Sequence, residues 1–265
     1  WPVEGGYRVK GRWNFASGIQ NARWLYCTCT MMAGDAPMKR PNGTPILRAL
    51  WVPREQVTIV DTWHTMGMRG TGSQDFTVDD VFVPERRSRL SDSPPLEKGP
   101  LYHPRAWYVH LWTPTAANSL GIARGAIDAF KDLATSATTM STAQLRARPT
   151  AQARLAEAEA IVNSARAFVF DAVGSVWKTV SAGQEPTDDQ IAQGRLSIVH
   201  AMHESVRAVD KLFHAAGTNA IYQSLPLEKS FRDIHVAVQH AAGLPQYFES
   251  AGKLLMGLTP TDPGW

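Results

Sequence analysis

The chain is poor in cysteine: of 265 residues only Cys27 and Cys29 carry thiols, one residue apart. On a strand that spacing turns both side chains to one face but sets them too near for an easy disulfide. No second Cys or His pair at zinc spacing accompanies them, so they read as buried strand residues, and a reducing, cytoplasmic setting is expected. No run of 18 or more apolar residues occurs, so no membrane span is expected. The start, Trp1-Pro2-Val3-Glu4-Gly5-Gly6, lacks a Met, a basic n-region and an apolar h-region, so it is not expected to be a secretory signal and reads as the interior of a longer protein. Charge of one sign is also scarce: 27 Lys+Arg stand against 24 Asp+Glu. The basic cluster Arg86, Arg87, Arg89 lies beside Ser91-Asp92-Ser93-Pro94-Pro95 and reads as a solvated linker, so no nucleic-acid partner is expected. The chain has no Walker loop, no Gly-x-Gly-x-x-Gly and no Gly-x-Ser-x-Gly. No Glu is followed by His three residues later, which excludes the di-iron pattern of helical bundles. His200, His203 and Glu204 share one helical turn but find no third ligand, and no metal is expected.

What is present changes period near residue 100. Before it, β-branched and aromatic runs alternate with turn residues: Tyr7–Ala16, Trp24–Met31, Ile46–Val52, Gln56–Asp61 and Asp75–Val83. Strands at this spacing predict a small antiparallel barrel or sandwich over residues 1–84. Residues 85–104 hold four prolines and read as a connector. Helices follow. Thr113-Pro114 is expected to open the first, which runs to about Ser136, and Pro149 a second reaching Val180. Thr187-Asp188-Asp189-Gln190 has the form of a capping box for a third, stopped by Gly217. Pro226 opens a fourth through Ala242, and Gln246–Met256 is a fifth. Residues 105–257 are thus expected to be an up-and-down helical bundle, with 258–265 as a tail.

Two features call for chemistry. Gly67-Met68-Arg69-Gly70-Thr71-Gly72-Ser73 opens a strand, not a helix, so it is no dinucleotide phosphate loop; its amides and hydroxyls suit a tight turn or a polar cofactor. Five of nine tryptophans fall within the first 63 residues (Trp1, Trp13, Trp24, Trp51, Trp63). Core filling is expected for most, with aromatic walls for a planar ligand explaining the rest.

The stretch Gly6-Tyr7-Arg8-Val9-Lys10-Gly11-Arg12-Trp13-Asn14-Phe15-Ala16-Ser17-Gly18 resembles the start of the central β-domain of the acyl-CoA dehydrogenase superfamily. Asp61-Thr62-Trp63 with Gly67–Ser73, Val81-Phe82-Val83-Pro84, Ala216-Gly217-Thr218 and Leu227-Glu228-Lys229-Ser230-Phe231-Arg232-Asp233 extend the likeness over nearly the whole chain. Phe-Ala-Ser-Gly and Gly-Thr-Gly-Ser are similar to the branch of reduced-flavin monooxygenases, the oxygenase components of two-component aromatic hydroxylases. The resemblance implies an α+β fold, an antiparallel β-barrel followed by a four-helix bundle, without the family's N-terminal helical domain.

It also implies a function. A separate reductase would supply reduced flavin, with FMNH2 expected first and FADH2 second. O2 would give a C4a-hydroperoxyflavin that hydroxylates an aromatic or phenolic substrate, as in aromatic catabolism, and the bundles would assemble a homotetramer. Phe15 and Ala16 fall where the isoalloxazine lies, Ser17 where a hydroxyl reaches flavin N5 and O4, and Trp63 where a tryptophan flanks the flavin. Arg105 occupies roughly the place of an arginine near the flavin, and Gly217 and Thr218 match a loop that touches the cofactor from a neighbouring subunit. His240 resembles the histidine over the flavin, able to donate to the peroxide or accept a phenolic proton, with His235 as the lesser candidate. Many dehydrogenases place their base at the position of Ala241, which cannot take a proton. An FAD-using acyl-CoA dehydrogenase and a non-catalytic flavin-binding or oligomerising fragment are the alternatives. The expected FMN preference rests on Leu145-Arg146-Ala147-Arg148-Pro149-Thr150, which stands in place of the Arg-x-x-Phe-Gly segment that grips an FAD pyrophosphate.

Overall fold

The computed structural model describes residues 1–136 and 144–260, so of the tail only 258–260 are described. The chain forms two compact units, Trp1–Thr65 with Arg69–Pro95, and Met66–Met68 with everything from Leu96 onward.

The first unit is β. Strands β1 (Pro2–Val3), β2 (Gly6–Ala16), β8 (Gln74–Pro84) and β7 (Thr58–Val60) form one antiparallel sheet in the order β1-β2-β8-β7. Strands β3 (Trp24–Thr30), β6 (Leu47–Pro53) and β9 (Ser88–Leu90) form a second, and β4 (Met32–Ala33) with β5 (Ala36–Pro37) a small ribbon. Period-2 alternation sends Leu25 and Cys27 inward from β3, where they meet Val9, Phe76, Val78, Leu50 and Val52 in one core shared by both sheets. Cys27 and Cys29 are both free thiols, and burial pushes them up to about 12 and about 11, so neither ionises at neutral pH. The expected connector is not wholly irregular: Ser88–Leu90 adds to the edge of β6.

Tryptophan does not fill this core. Trp1, Trp24 and Trp51 lie on the outside, and Trp13 is half-buried, stacked on Phe76 at 5.3 Å with its indole N–H donating to the Thr28 carbonyl. On β3 the reason is register: Trp24 and Tyr26 occupy the positions opposite in phase to Leu25 and Cys27.

The second unit is helical: α1 (Trp107–Ser136), α2 (Pro149–Ser181), α3 (Asp188–Ala216), α4 (Pro226–Ala237) and α5 (Gln246–Leu255). Buried α2 residues Ala158, Ile161, Ala165, Val169, Ala172, Val176 and Val180 recur every three or four positions, the stripe that pairs α2 with α3. The Thr187–Gln190 capping box forms as expected. Helix α1 starts earlier than Pro114, which lies inside it. Proline withdraws one N–H from the ladder, yet buried Val109 before it and Ala116 and Leu120 after it carry the helix through. Helix α4 stops at Ala237, short of the expected Ala242, and the chain turns sharply. Glu159 on α2 takes Arg124 at 2.9 Å and Lys131 at 2.7 Å from α1, which holds its carboxyl down at about 2. Arg195, 2 % exposed, lies under the rings of Tyr108 and Trp112, a cation–π arrangement that lets a guanidinium sit in the core. Among the described residues no helix is long and apolar enough to cross a membrane.

Candidate functional site

In the β unit the site begins with a fault in the ladder. Trp13 pairs with Phe76 and Ala16 with Gln74, so Asn14 and Phe15 face Asp75 alone. This two-against-one bulge puts Phe15 at φ +56°, a left-handed conformation that side chains with a Cβ avoid. The Ser17 N–H closes the bend onto the Phe15 carbonyl at 2.9 Å. The strained backbone displays the Phe15 ring, 69 % exposed, with its centroid 6.2 Å from Trp63 in an edge-on arrangement. Trp63 is fixed in turn by Gln74, whose side-chain carbonyl accepts the Thr62 and Trp63 amides at 2.7 and 2.8 Å. Beside the bulge Phe15, Ala16, Ser17, Trp24, Tyr26 and Thr28 line a cleft of about 500 Å³.

Ser17 ends a run of three hydroxyls. Its Oγ lies 2.7 Å from Ser73 Oγ, which lies 2.7 Å from Thr71 Oγ1. Ser73 is 4 % exposed, whereas Ser17 is exposed. The Gly18 amide donates to the Thr71 carbonyl at 2.8 Å and locks the two loops together.

The helical unit presents His240 from the turn after α4. The Ala242 amide donates to His240 Nδ1 at 3.1 Å, so Nδ1 is an acceptor and the ring proton sits on Nε2. Partial burial pushes the imidazole below its usual value, which favours this neutral form. Of the two roles expected for His240, the geometry favours donation from Nε2; accepting a proton there would need the other tautomer. His203 on α3, a dismissed metal candidate, holds the same turn: its Nε2 donates to the Gly243 carbonyl at 2.9 Å. A Cβ on Gly243 would lie 2.3 Å from the Val238 carbonyl oxygen, so only glycine closes the turn. His235 points back into the bundle, with Nδ1 2.7 Å from the Phe231 carbonyl and Nε2 3.3 Å from Asp210.

The remaining expected residues are dispersed. Arg105 donates to the Pro186 carbonyl at 2.8 Å and pairs with Asp188, at the start of α3. Gly217 and Thr218 are exposed in the turn that ends α3. Helix α3 has 29 residues, and at 1.5 Å per residue its ends are roughly 40 Å apart, so one flavin in one chain does not touch both places. The Arg232-Asp233 motif has a local task. Arg232 is bound bidentately by Glu228 and donates to the Met66 carbonyl at 2.6 Å, while Asp233 accepts the Met68 amide at 2.6 Å. Between these bonds Gly67 lies so close that a Cβ would come within 2.1 Å of the Arg232 carbonyl oxygen.

An exposed ring on a strained bulge, an edge-on indole and a hydroxyl beside a cleft suit a planar group with a hydrogen-bonding edge, and an isoalloxazine fits that description.

Comparison with known proteins agrees. Residues 114–244 match the acyl-CoA dehydrogenase C-terminal domain. The chain is 32 % identical over 267 residues to an indole-3-acetate monooxygenase of Pseudomonas putida, covering 99 % of this chain and 66 % of that protein. It is 30 % identical over 277 residues to the flavin-dependent monooxygenase oxygenase subunit HsaA of Mycobacterium tuberculosis, covering 98 % and 67 %. The structure of XiaF from Streptomyces sp. in complex with FADH2 and glycerol superposes with a TM-score of 0.84 at 25 % identity, over 99 % of this chain and 67 % of that one. The chain therefore spans about two thirds of the length of these relatives. It belongs to the oxygenase components of the flavin-dependent monooxygenases, oxidoreductases of the acyl-CoA dehydrogenase superfamily that work with reduced flavin.

Proposed function

We propose that this chain is the flavin-binding core of an oxygenase component that hydroxylates an aromatic or phenolic substrate, with reduced flavin delivered by a separate reductase. The observation that carries the site assignment is the Phe15 bulge, where backbone strain is spent on exposing an aromatic ring against Trp63. Bound reduced flavin supplies the electrons with which O2 is split between product and water. Phe15 and Trp63 wall the ring system, Ala16 leaves room at its face, and Ser17 meets its N5 edge. His240 donates from Nε2 to an oxygen of the reacting group or substrate, a neutral contact that adds no charge. Gly217 and Thr218 serve the flavin of a neighbouring copy, and Arg105 reaches a flavin only by leaving Asp188. FADH2 moves ahead of FMNH2 because XiaF binds it.

Assembly follows the same reading. Trp107 and Leu111 on α1 and Phe170 and Trp177 on α2 are exposed, and burying them between copies supports a homotetramer. The shared core of the two sheets supports a flattened barrel. The expected location is the cytoplasm, where reductases supply reduced flavin.

Anaerobic mixing with photoreduced FADH2 and a phenol, followed by ¹⁸O2, tests the reading. One ¹⁸O atom in the product is expected. Oxidation of an acyl-CoA by an artificial acceptor without O2 would overturn it.

A further inference from the structure

We infer that Thr62 and Gln74 are positioning residues whose side chains carry the β7–β8 ladder past its last main-chain pair and so fix Trp63 opposite Phe15. This rests on the proposed seat of the flavin against Phe15 and Trp63, and adds two residues that act through Trp63.

Strand β7 is three residues long and forms an edge of its sheet. Its pairing with β8 ends at Val60 opposite Asp75. Past such an edge the chain has no further strand to pair with and frays unless something ties it. Here side chains supply the missing rungs. The Thr62 hydroxyl accepts the Asp75 amide at 3.0 Å and donates to the Val60 carbonyl at 3.4 Å, so it joins the two residues of the last pair. One step further, the Gln74 carboxamide accepts both the Thr62 and the Trp63 amides, at 2.7 and 2.8 Å. Two N–H donors converging on one end of a carboxamide mark that end as its carbonyl. The His64 amide then closes onto the Thr62 carbonyl at 2.9 Å, which makes Trp63 the centre of a three-residue turn.

The main chain is therefore tied before, at and after Trp63. Side-chain contacts choose among the rotamers of a tryptophan, whereas the main chain decides where its Cα stands, and both rungs act there. Among the described residues Gln74 is the only acceptor of the Thr62 amide. Gln74 also pairs its main chain with Ala16, the first pair after the bulge that displays Phe15. One residue thus serves both aromatic walls: its backbone meets the strand that carries Phe15, and its side chain meets the turn that carries Trp63. The 6.2 Å between the two ring centroids depends on the reach of that side chain.

The task needs an acceptor and a length. Gln74→Met keeps the length and removes the acceptor, Gln74→Asn keeps the acceptor and withdraws it by a methylene, and Gln74→Glu keeps both. Thr62→Val removes the hydroxyl and keeps the shape, while Thr62→Ser keeps the hydroxyl. A loss that acts through Trp63 disappears once the Trp63 ring is replaced; a general structural loss does not.

The test measures the dissociation constant of oxidised FAD on the full chain, with circular dichroism confirming the fold, and the fluorescence lifetime of the bound flavin, which a nearby indole shortens by electron transfer. Gln74→Met and Gln74→Asn are expected to weaken FAD about fivefold, the worth of one hydrogen bond, and to lengthen the bound lifetime. Thr62→Val is expected to weaken it about twofold, with Thr62→Ser and Gln74→Glu staying near wild type. With Trp63→Ala already in place, Gln74→Met is expected to change neither reading. If Trp63→Ala weakens FAD but Gln74→Met does not, or if Gln74→Met weakens it equally with and without Trp63, the rungs do not position Trp63 and the flavin site stands. If Trp63→Ala changes neither affinity nor lifetime, the flavin does not lie against Trp63, and the site reading fails together with the rungs.

Discussion

The β unit and the helical unit hold their candidate residues by opposite means. Around Phe15 the device is local: one extra residue in β2, a left-handed φ of +56° and a hydrogen bond two residues on. Around His240 it is long-range: His203, about 40 positions earlier in sequence, reaches the Gly243 carbonyl, and Gly243 must lack a side chain to fit under Val238. The first stores strain that the surrounding sheet tolerates; the second removes strain by close approach. Function therefore opposes stability at the bulge and coincides with it at the turn.

That contrast can be broken in order of expected size. Gly243→Ala drives a Cβ into backbone and should cost about 3 kcal/mol in chemical denaturation. His203→Ala loses a hydrogen bond and an aromatic contact with Phe248 at 5.6 Å, about 1–2 kcal/mol, and NMR should show His240 titrating closer to an ordinary histidine. Phe15→Gly goes the other way: relief of the left-handed strain should leave the fold as stable or up to about 1 kcal/mol more stable, while flavin affinity falls. Equal destabilisation at Phe15 and at Gly243 would erase the distinction.

A pH titration sharpens it at lower amplitude. Burial depresses both His240 and His110. A histidine whose folded value lies below its unfolded one is charged first in the unfolded chain, so stability is complete above about pH 6.5 and declines as pH falls below it. His240→Gln should flatten part of that decline in equilibrium unfolding followed by circular dichroism. A decline on the alkaline side instead would contradict the assigned direction. Smallest of all, Cys27 and Cys29 should resist alkylation in the native protein and react after unfolding, as counted by mass spectrometry.

Much of this was legible beforehand, and the misses have physical causes. Strand alternation and the Thr187–Gln190 cap are local signals, and both read correctly. Pro114 misled because helix propensity is local while Val109, Ala116 and Leu120 are buried on both sides of it. The tryptophans misled because composition does not say which side of a pleat a residue occupies; Trp24 sits one position out of phase with the core. The Phe15 bulge left no mark in the pattern, since one inserted residue looks like an ordinary alternation error. Gln74, Ser73 and His203 were invisible as supporting residues, because each acts on a residue between 11 and 56 positions away. Phe-Ala-Ser-Gly drew attention by resemblance alone, and only the geometry gave Ser17 a partner.

The most direct measurement is a crystal structure of the chain soaked anaerobically with FADH2. The account predicts the isoalloxazine against the Phe15 ring, with N5 within hydrogen-bond reach of Ser17 Oγ and Ser73 still bonded behind it. A flavin bound elsewhere, with Phe15 left facing solvent and Ser17 touching only Ser73, would contradict it.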